Sequence, residues 1–267
     1  RLREEIKARE AVEAELRRSL TDLNRAVHEL EQFAYITSHD LQAPLRNIAG
    51  FSQLLTRRYS QKLDGDALEF MQFIEQGVRQ MQALIQGLLQ LSRVGRTEGR
   101  AERRPLDESL RSALTALRQD LATQNAKVEF GPMPSVPGMQ PLLAQLFQNL
   151  VGNAIKFHKP GEQPVVRVSA ELEEQQVHIR VQDNGIGIPA DQLENVFAVF
   201  RRLHNAEEYE GTGIGLAICR KIVQHHQGEI WAESDGQGTT VHVRLPLEPA
   251  PVREKTAMPA GVIAAPA

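Results

Sequence analysis

Residues 176–189 read Gln-Val-His-Ile-Arg-Val-Gln-Asp-Asn-Gly-Ile-Gly-Ile-Pro, an alternating strand followed at once by a glycine-rich turn. Val177, Ile179 and Val181 share one face of this strand, which we expect to point toward a core. Asp183 lies two residues beyond Val181, so we expect its side chain on the same inward face. A buried carboxylate needs a hydrogen-bond donor, because an unpaired buried charge is very costly. The amino group of an adenine would serve, and the alternative is an ordinary β-turn capped by Asp183.

The chain around this segment alternates predicted helices with predicted strands. Because the strands are neighbours in sequence and helices intervene, we expect an α/β sandwich with a mostly antiparallel sheet. A Pro-rich turn is predicted between residues 130 and 139. The predicted helices cover 107–122, 139–157 and 213–227, and the predicted strands cover 127–130, 165–172, 176–183, 229–233 and 239–245.

Two long amphipathic helices are predicted before residue 95. The second runs from about Asp66 to Arg93, and the first runs from Arg1 to about Tyr59 with a heptad seam of Leu16, Leu20, Leu23, Val27, Leu30 and Ala34. Their apolar faces are too wide for two helices alone, so we expect a dimeric four-helix bundle preceded by a parallel coiled coil. The alternative is one long helix packed in a larger globule. The expected fold class is α+β: coiled coil and helical-hairpin bundle, then the α/β sandwich.

Composition restricts the class of protein. The 267 residues carry 31 Lys and Arg against 34 Asp and Glu, for a formal net charge of −3, which argues against a nucleic-acid binder. Hydrophobic residues make up 41%, enough for a core. One cysteine, Cys219, cannot form an intrachain disulfide. No stretch is long and apolar enough to span a membrane, so we expect a cytoplasmic protein. The chain starts at Arg1 within a helical pattern, so we expect it to be part of a longer protein.

A candidate nucleophile lies on the first helix, in the segment Ser38-His39-Asp40. His39 is two residues from Leu41 of the buried seam, a rotation of about 200°, so it faces away from the bundle core. Pro44 cannot donate to the carbonyl of Asp40, which predicts a bend beside His39. An exposed histidine with a neighbouring carboxylate could be a nucleophile with an orienting base, and the alternative is an inert surface histidine.

Polar residues follow one face of the predicted helix 139–157, namely Gln145, Asn149, Asn153 and Lys156. Asparagine is a poor helix former in helix interiors, so two asparagines at this spacing destabilise the helix with no structural benefit that the sequence shows. Amide oxygens suit Mg²⁺, and Lys156 could meet a phosphate. The alternative is a solvated helix face.

A second glycine-rich segment, Gly211-Thr-Gly-Ile-Gly-Leu216, opens the predicted helix that follows. Glycines allow close approach of a ligand, and a helix N-terminus offers free N–H groups to phosphate. The segment is neither a Walker loop nor a dinucleotide-binding fingerprint. The long stretch 189–210 before it could form a mobile lid over a nucleotide.

Taken together, these segments resemble the sequence boxes of the sensor histidine kinases, and in particular the phytochrome-like branch. The resemblance covers about residues 30–245, and five boxes in the family's order make it specific. The matching segments are 33–42 for the phosphoacceptor box, 149–157 for the asparagine box, 183–189 for the first glycine box, 196–200 for the phenylalanine box and 211–216 for the second glycine box.

The resemblance and the composition together divide the chain into five parts. They are a coiled-coil signalling helix at 1–31, a dimerisation and histidine phosphotransfer domain at 32–95, a linker at 96–103, a gyrase-type ATP-binding domain at 104–247 and a disordered tail at 248–267.

The resemblance also implies the ligands and the residues that hold them. ATP and Mg²⁺ are expected between the asparagine helix and the lid, with Asp183 on the adenine and both Asn153 and Asn149 at the metal. The other nucleotide-binding positions are Lys156, Phe157, Gly185, Gly187, Gly211, Thr212, Gly213, Gly215 and Leu216.

By the same resemblance, His39 attacks the γ-phosphate while Asp40 orients or deprotonates it. The phosphoryl group then passes to an aspartate on the receiver domain of a response regulator. A homodimer and an upstream sensor domain are also implied. The departures from the family pattern are small: Ala43 stands where phosphatase-competent relatives carry Thr or Asn, Ala198-Val199 where Glu-Pro is usual, and Gln227 where Gly is usual.

Two other functions compete with this interpretation. One is a non-catalytic dimerising scaffold, which is disfavoured because no box residue is missing. The other is a hydrolytic ATPase of the gyrase and chaperone group, which places a water-activating Glu where Asn149 stands. An amide cannot accept that proton, so hydrolysis is disfavoured.

Overall fold

The computed structural model describes residues 2–94, 102–203, 209 and 211–248, and it contains a helical hairpin followed by an α/β domain. The predicted tail, apart from Glu248, lies outside the described residues, as do residues 96–101 of the predicted linker. Within the described residues, no helix is both long and apolar enough to cross a membrane.

The hairpin consists of α1 (Leu2–Tyr59) and α2 (Gly65–Val94), close to the predicted limits. Asp64 ends the turn and caps α2, since its Oδ1 accepts a hydrogen bond of 2.8 Å from the amide of Ala67. Pro44 lies inside α1, and the bend beside it stays a prediction. The seam residues Leu16, Leu20, Leu23 and Val27 are between 47% and 61% exposed in the single chain.

The α/β domain is built on a five-stranded sheet of order β2-β4-β5-β7-β6. The β2–β4 pair is parallel and the other three pairs are antiparallel, which confirms the predicted mostly antiparallel sheet. The strands are β2 (Lys127–Phe130), β4 (Val165–Glu173), β5 (Gln176–Asp183), β6 (Glu229–Ser234) and β7 (Thr239–Pro246), with β1 (Glu102–Pro105) and β3 (Ser135–Gly138) in a separate pair.

Helices pack on one face of this sheet. Val177, Ile179 and Val181 point into the layer between sheet and helices and are at most 2% exposed, as the alternation predicts. The helices are α3 (Leu106–Ala116), α4 (Arg118–Thr123), α5 (Gln140–Lys156) and α6 (Gly215–His225), with short 3₁₀ turns at Ala190–Gln192 and Asn195–Phe197. The opposite face of the sheet carries the polar residues of each strand.

The structure differs from the sequence prediction in three places. The predicted helix 107–122 is divided into α3 and α4 at Leu117. The predicted Pro-rich turn contains β3, and the last two residues of the predicted linker, 102 and 103, belong to β1. Pro105 and Pro137 are tolerated there because a two-stranded pair consists of edge strands, in which a missing N–H is not needed by a second neighbour.

The C-terminal part of α2 packs on the α/β domain. Val94 is 1% exposed and belongs to the core of that domain. A Cβ built on Gly87 would lie 2.7 Å from Cδ1 of Ile214, the residue immediately before α6, so the two helices approach closely at this glycine. Gln145 of α5 adds a hydrogen bond of 3.3 Å to Gln90. The bundle and the α/β domain therefore share an interface in this structure.

Candidate nucleotide site

A cavity of about 370 Å³ lies between α5, the ends of β5 and β7, and the start of α6. The predicted nucleotide-binding residues that line it are Asn153, Lys156, Phe157, Asp183, Gly187, Gly211, Thr212, Gly213, Gly215 and Leu216. Two other predicted residues, Asn149 and Gly185, are not among the residues that line it. The fold thus brings segments up to 91 residues apart in sequence, from Leu150 to Val241, around one space.

Asp183 lies at the end of β5 with its carboxylate at the cavity wall. Its Oδ1 accepts two backbone hydrogen bonds, from Gly185 at 2.8 Å and from Thr239 at 3.0 Å. Among the described residues Oδ2 has no hydrogen-bond partner. Burial raises the pKa of Asp183, and the two backbone bonds oppose that rise. The predicted turn cap therefore exists, and one carboxylate oxygen remains for a ligand.

Two glycines are required by the backbone around the cavity. The amide of Ile186 donates to the carbonyl of Phe157 at 3.0 Å, which holds the first glycine turn against the end of α5. A Cβ at Gly185 would collide with that same carbonyl. Gly213 has φ of 70°, a conformation that side chains disfavour, and a Cβ there would lie 2.6 Å from the carbonyl oxygen of Arg201.

The start of α6 faces the two asparagines of α5. A Cβ built on Gly215 would lie 3.7 Å from Oδ1 of Asn149 and 3.9 Å from Nδ2 of Asn153, so the absent side chain leaves room between helix and amides. Nδ2 of Asn149 is buried without a hydrogen-bond partner among the described residues. A buried orphan amide beside a helix N-terminus is suited to a polar ligand, above all an anionic one.

Comparison with known proteins agrees with this geometry. Residues 29–97 match the model of the His Kinase A (phospho-acceptor) domain, and residues 138–249 match that of the histidine kinase-, DNA gyrase B- and HSP90-like ATPases. The chain is 43% identical over 234 residues to cyanobacterial phytochrome A of Nostoc, covering 87% of this chain and 30% of that protein. It is 42% identical over 234 residues to phytochrome-like protein Cph1 of Synechocystis, covering 87% and 31%.

The chain belongs to the sensor histidine kinases. It spans about a third of the length of these phytochrome relatives. Its fold matches full-length ShkA solved with AMPPNP, with a TM-score of 0.60, 22% identity, and coverage of 82% of this chain and 46% of that one. It also matches ThkA solved with the response regulator TrrA, with a TM-score of 0.56, 21% identity, and coverage of 83% and 64%.

An aromatic and cationic wall closes one side of the kinase's cavity. The ammonium of Lys156 lies 4.2 Å from the centre of the Phe157 ring, and the ring of Tyr209 lies 5.2 Å from Phe157. The hydroxyl of Tyr209 donates to the carbonyl of His158 at 3.1 Å, and Arg202 donates to the carbonyl of Tyr209 at 3.0 Å. This wall ties residue 209 to the end of α5.

The predicted catalytic pair of the kinase lies on α1. The backbone of His39 is helical, but its side chain is outside the described residues, so its predicted orientation is not tested. Asp40 is exposed. The described lining of the nucleotide cavity runs from residue 150 to residue 241, whereas the pair lies in the bundle.

Sequence reasoning missed several lining residues of the kinase. Thr239 and Val241 come from β7, and Arg201, Arg202 and Tyr209 come from the segment before α6. Arg201, Arg202 and Tyr209 belong to the stretch 189–210, which was predicted as a lid, but the prediction assigned none of them to the site. Thr239 carried no signal in the sequence, since its place beside Asp183 depends on the pairing of β5 with β7.

Proposed function

We propose that this kinase core uses ATP to phosphorylate His39 and passes the phosphoryl group to an aspartate of a response-regulator receiver domain. The observation that carries the proposal is the cavity itself, in which the Asp183 carboxylate stands at one end and the start of α6 at the other. A carboxylate acceptor matches the amino group of adenine. A helix N-terminus that faces two amides matches the phosphates.

The reaction we propose is a displacement at the γ-phosphorus. An imidazole nitrogen of His39 forms the new N–P bond, the bond to the oxygen that bridges the β- and γ-phosphorus breaks, and ADP leaves. Asp40 orients the imidazole or accepts its proton. Positioning and charge neutralisation supply most of the catalysis in such transfers. The receiver aspartate then takes the phosphoryl group and restores neutral His39.

The side chains present fit Mg²⁺ as part of this site. The amide oxygens of Asn149 and Asn153 are hard oxygen ligands of the kind Mg²⁺ uses together with phosphate oxygens. The space left by Gly215 lies next to both amides. Bound there, Mg²⁺ would neutralise phosphate charge, and Lys156 would add a second positive charge at the cavity wall.

We also propose that the active form is a homodimer. In the single chain the bundle exposes large apolar side chains, among them Phe51 at 68%, Phe70 at 63% and Phe73 at 60%. A second hairpin would cover them and complete a four-helix bundle. The seam of α1 would continue as the coiled coil, which would connect the bundle to a sensor domain. Cytoplasmic localisation stays a prediction.

The experiment is incubation of the full chain with γ-labelled ATP, followed by acid treatment of the labelled protein. We expect an acid-labile, alkali-stable label that moves to a receiver domain. His39→Ala should carry no label yet bind ADP with nearly unchanged affinity, because the acceptor and the nucleotide cavity lie on different domains. His225→Gln, which alters an exposed imidazole at the end of α6, is the matched control and should label normally.

The same experiment separates the competing functions. Inorganic phosphate released without labelled protein would indicate a hydrolytic ATPase. Nucleotide binding with neither label nor phosphate would indicate a scaffold. Acid-labile label that persists in His39→Ala would place the acceptor elsewhere.

A further inference from the structure

The sheet face opposite the helices carries a closed ring of polar and aromatic side chains that the kinase reaction does not use. Successive members are joined by a hydrogen bond, an ion pair or a ring contact, and four strands contribute. We call this set the outer ring. Its members, in order around the ring, are Glu173 of β4, His178 of β5, His242 of β7, Glu233 and Trp231 of β6, and Arg244 of β7.

The hydrogen bonds of the outer ring fix the proton positions on its two imidazoles. Nδ1 of His178 lies 2.7 Å from a carboxylate oxygen of Glu173 and must donate to it, so Nε2 of neutral His178 is an acceptor. That Nε2 lies 3.0 Å from Nδ1 of His242, which therefore donates. Nε2 of neutral His242 is then an acceptor, and it faces Glu233 Oε2 at 3.5 Å with no proton between them. It is buried without a hydrogen-bond partner among the described residues.

We propose that the outer ring is a proton-binding site, which takes up one proton on Nε2 of His242 and thereby links pH to the strands that carry the nucleotide cavity. This proton supplies the donor missing between His242 and Glu233. It breaks no other bond in the ring, because Nδ1 of His242 keeps donating to His178.

The charges around His242 determine when the proton binds. Glu233 favours the imidazolium, whereas burial and the charges of His178, Arg180 and Arg244 oppose it, and burial is the largest effect. Glu173 lies beyond His178, and Glu171 is paired with Arg180 at 2.7 Å. The pKa of His242 is consequently below its usual value, so its imidazole takes up a proton at lower pH than a free histidine does. Because the unfolded chain binds that proton more readily, folding stability falls as the pH drops through this range.

The connection to the cavity runs along β5 and β7. His178 and Asp183 are on the same strand, and Val241, which precedes His242, lines the cavity. The amide of Thr239 on β7 holds Oδ1 of Asp183 at 3.0 Å. The hydrogen bond between the histidines joins these two strands on the outer face, while the bond from Thr239 to Asp183 joins them at the site.

The protein's only tryptophan, Trp231, reports the proton directly. Its ring is stacked on His242, with ring centres 4.8 Å apart and planes 4° from parallel. A protonated imidazole quenches a stacked indole more strongly than a neutral one. We therefore expect the emission of the folded full chain to fall in a one-proton step below a pH of about 6.5. Circular dichroism at each pH establishes that the chain stays folded.

Three variants test the assignment. His242→Asn keeps an N–H donor toward His178 but cannot take up a proton, so the step should disappear. Glu233→Gln can donate to Nε2 of neutral His242 and fill the missing position, so the step should move to lower pH. This residue is exposed, so the variant should fold even where the other does not. His225→Gln, outside the ring, should leave the step unchanged.

The link to the cavity is tested with ADP alone. We expect the ADP affinity of the wild type to change between pH 7.5 and pH 5.5 by a different factor from that of His242→Asn. Comparing the two proteins removes the titration of ADP itself, because it is the same in both. An emission step that survives unchanged in both His242→Asn and Glu233→Gln would overturn the proton site. An equal change of ADP affinity in wild type and His242→Asn would overturn its link to the strands. Neither result depends on phosphorylation of His39.

Discussion

Replacing Asp183 with asparagine should separate nucleotide affinity from folding stability. Asparagine can still accept the two backbone bonds at Oδ1, from Gly185 and Thr239, but it puts an N–H₂ donor where Oδ2 stands. An adenine amino group would then face a donor instead of a charged acceptor. A hydrogen bond to a charged group is worth about 1.5–3 kcal/mol, and each 1.4 kcal/mol is tenfold, so ADP should bind roughly 10- to 100-fold more weakly.

The stability of the same variant should change in the opposite direction. Burial raises the pKa of Asp183, so the ionised carboxylate opposes folding at neutral pH, and this cost is lost as the pH falls through the raised pKa. Asparagine carries no such charge. We therefore expect Asp183→Asn to unfold at the same temperature as the wild type or higher at pH 7.5, by calorimetry without nucleotide.

The measurement is a calorimetric titration with ADP at several pH values, with Asp191→Asn as the control at an exposed carboxylate outside the cavity. The ADP affinity of the wild type should fall as acid protonates Asp183. The difference in ADP affinity between the wild type and Asp183→Asn should therefore become smaller at low pH. Unchanged affinity in the variant would refute the adenine contact. Weaker binding together with a lower unfolding temperature would show that Asp183 acts through the fold alone.

Three further predictions concern α1 and α2. Inserting one residue near Arg25 turns the downstream helix faces by about 100°, whereas inserting seven restores the heptad register. In a protein carrying its sensor, autophosphorylation should therefore change with the one-residue insertion and recover with the seven-residue insertion. An autophosphorylation rate unaffected by both insertions would show that the coiled coil only holds the dimer together. Ala43 has no polar atom to position water, so regulator dephosphorylation after ATP removal should be slow, and Ala43→Thr should accelerate it; rapid dephosphorylation by the wild type would contradict this. Gly77→Ala adds a methyl group in open space and should raise the free energy of unfolding, measured in urea, by about 0.5–1 kcal/mol. Gly87→Ala should lower the free energy of unfolding, because its methyl group would collide with Ile214. Equal changes in the two variants would show that the contact between α2 and Ile214 is not tight.

Local sequence patterns predicted the elements that form most of the nucleotide site. The alternation of Val177, Ile179 and Val181 fixes which face of β5 is buried, and it carries Asp183 to the cavity wall. The glycines at 211, 213 and 215 predicted a turn into a helix, and the helix begins at Gly215. These predictions depend on the chemistry of neighbouring residues, which a single sequence displays.

Other features depend on how distant segments pair, and no local pattern displays that. Thr239 lies 56 residues from Asp183, yet donates to it because β7 pairs with β5. The same pairing brings His178 to His242, 64 residues away. The β1–β3 pair was not predicted, because Pro105 and Pro137 are unfavourable in strands and the segments were interpreted as linker and turn. The sequence around Gly87 does not distinguish it from an ordinary helical glycine, because its contact with Ile214 joins residues 127 positions apart.

The contact between Gly87 and Ile214 has a consequence for recombination between related kinases. Ile214 lies between Gly213 and Gly215, both of which line the nucleotide cavity. A bundle taken from one kinase and joined to the ATP-binding domain of another would bring a foreign side chain against residue 214, and the glycine turn would have to shift to accommodate it. In such a hybrid, residues 87 and 214 would have to be exchanged together, although Gly87 does not line the nucleotide cavity.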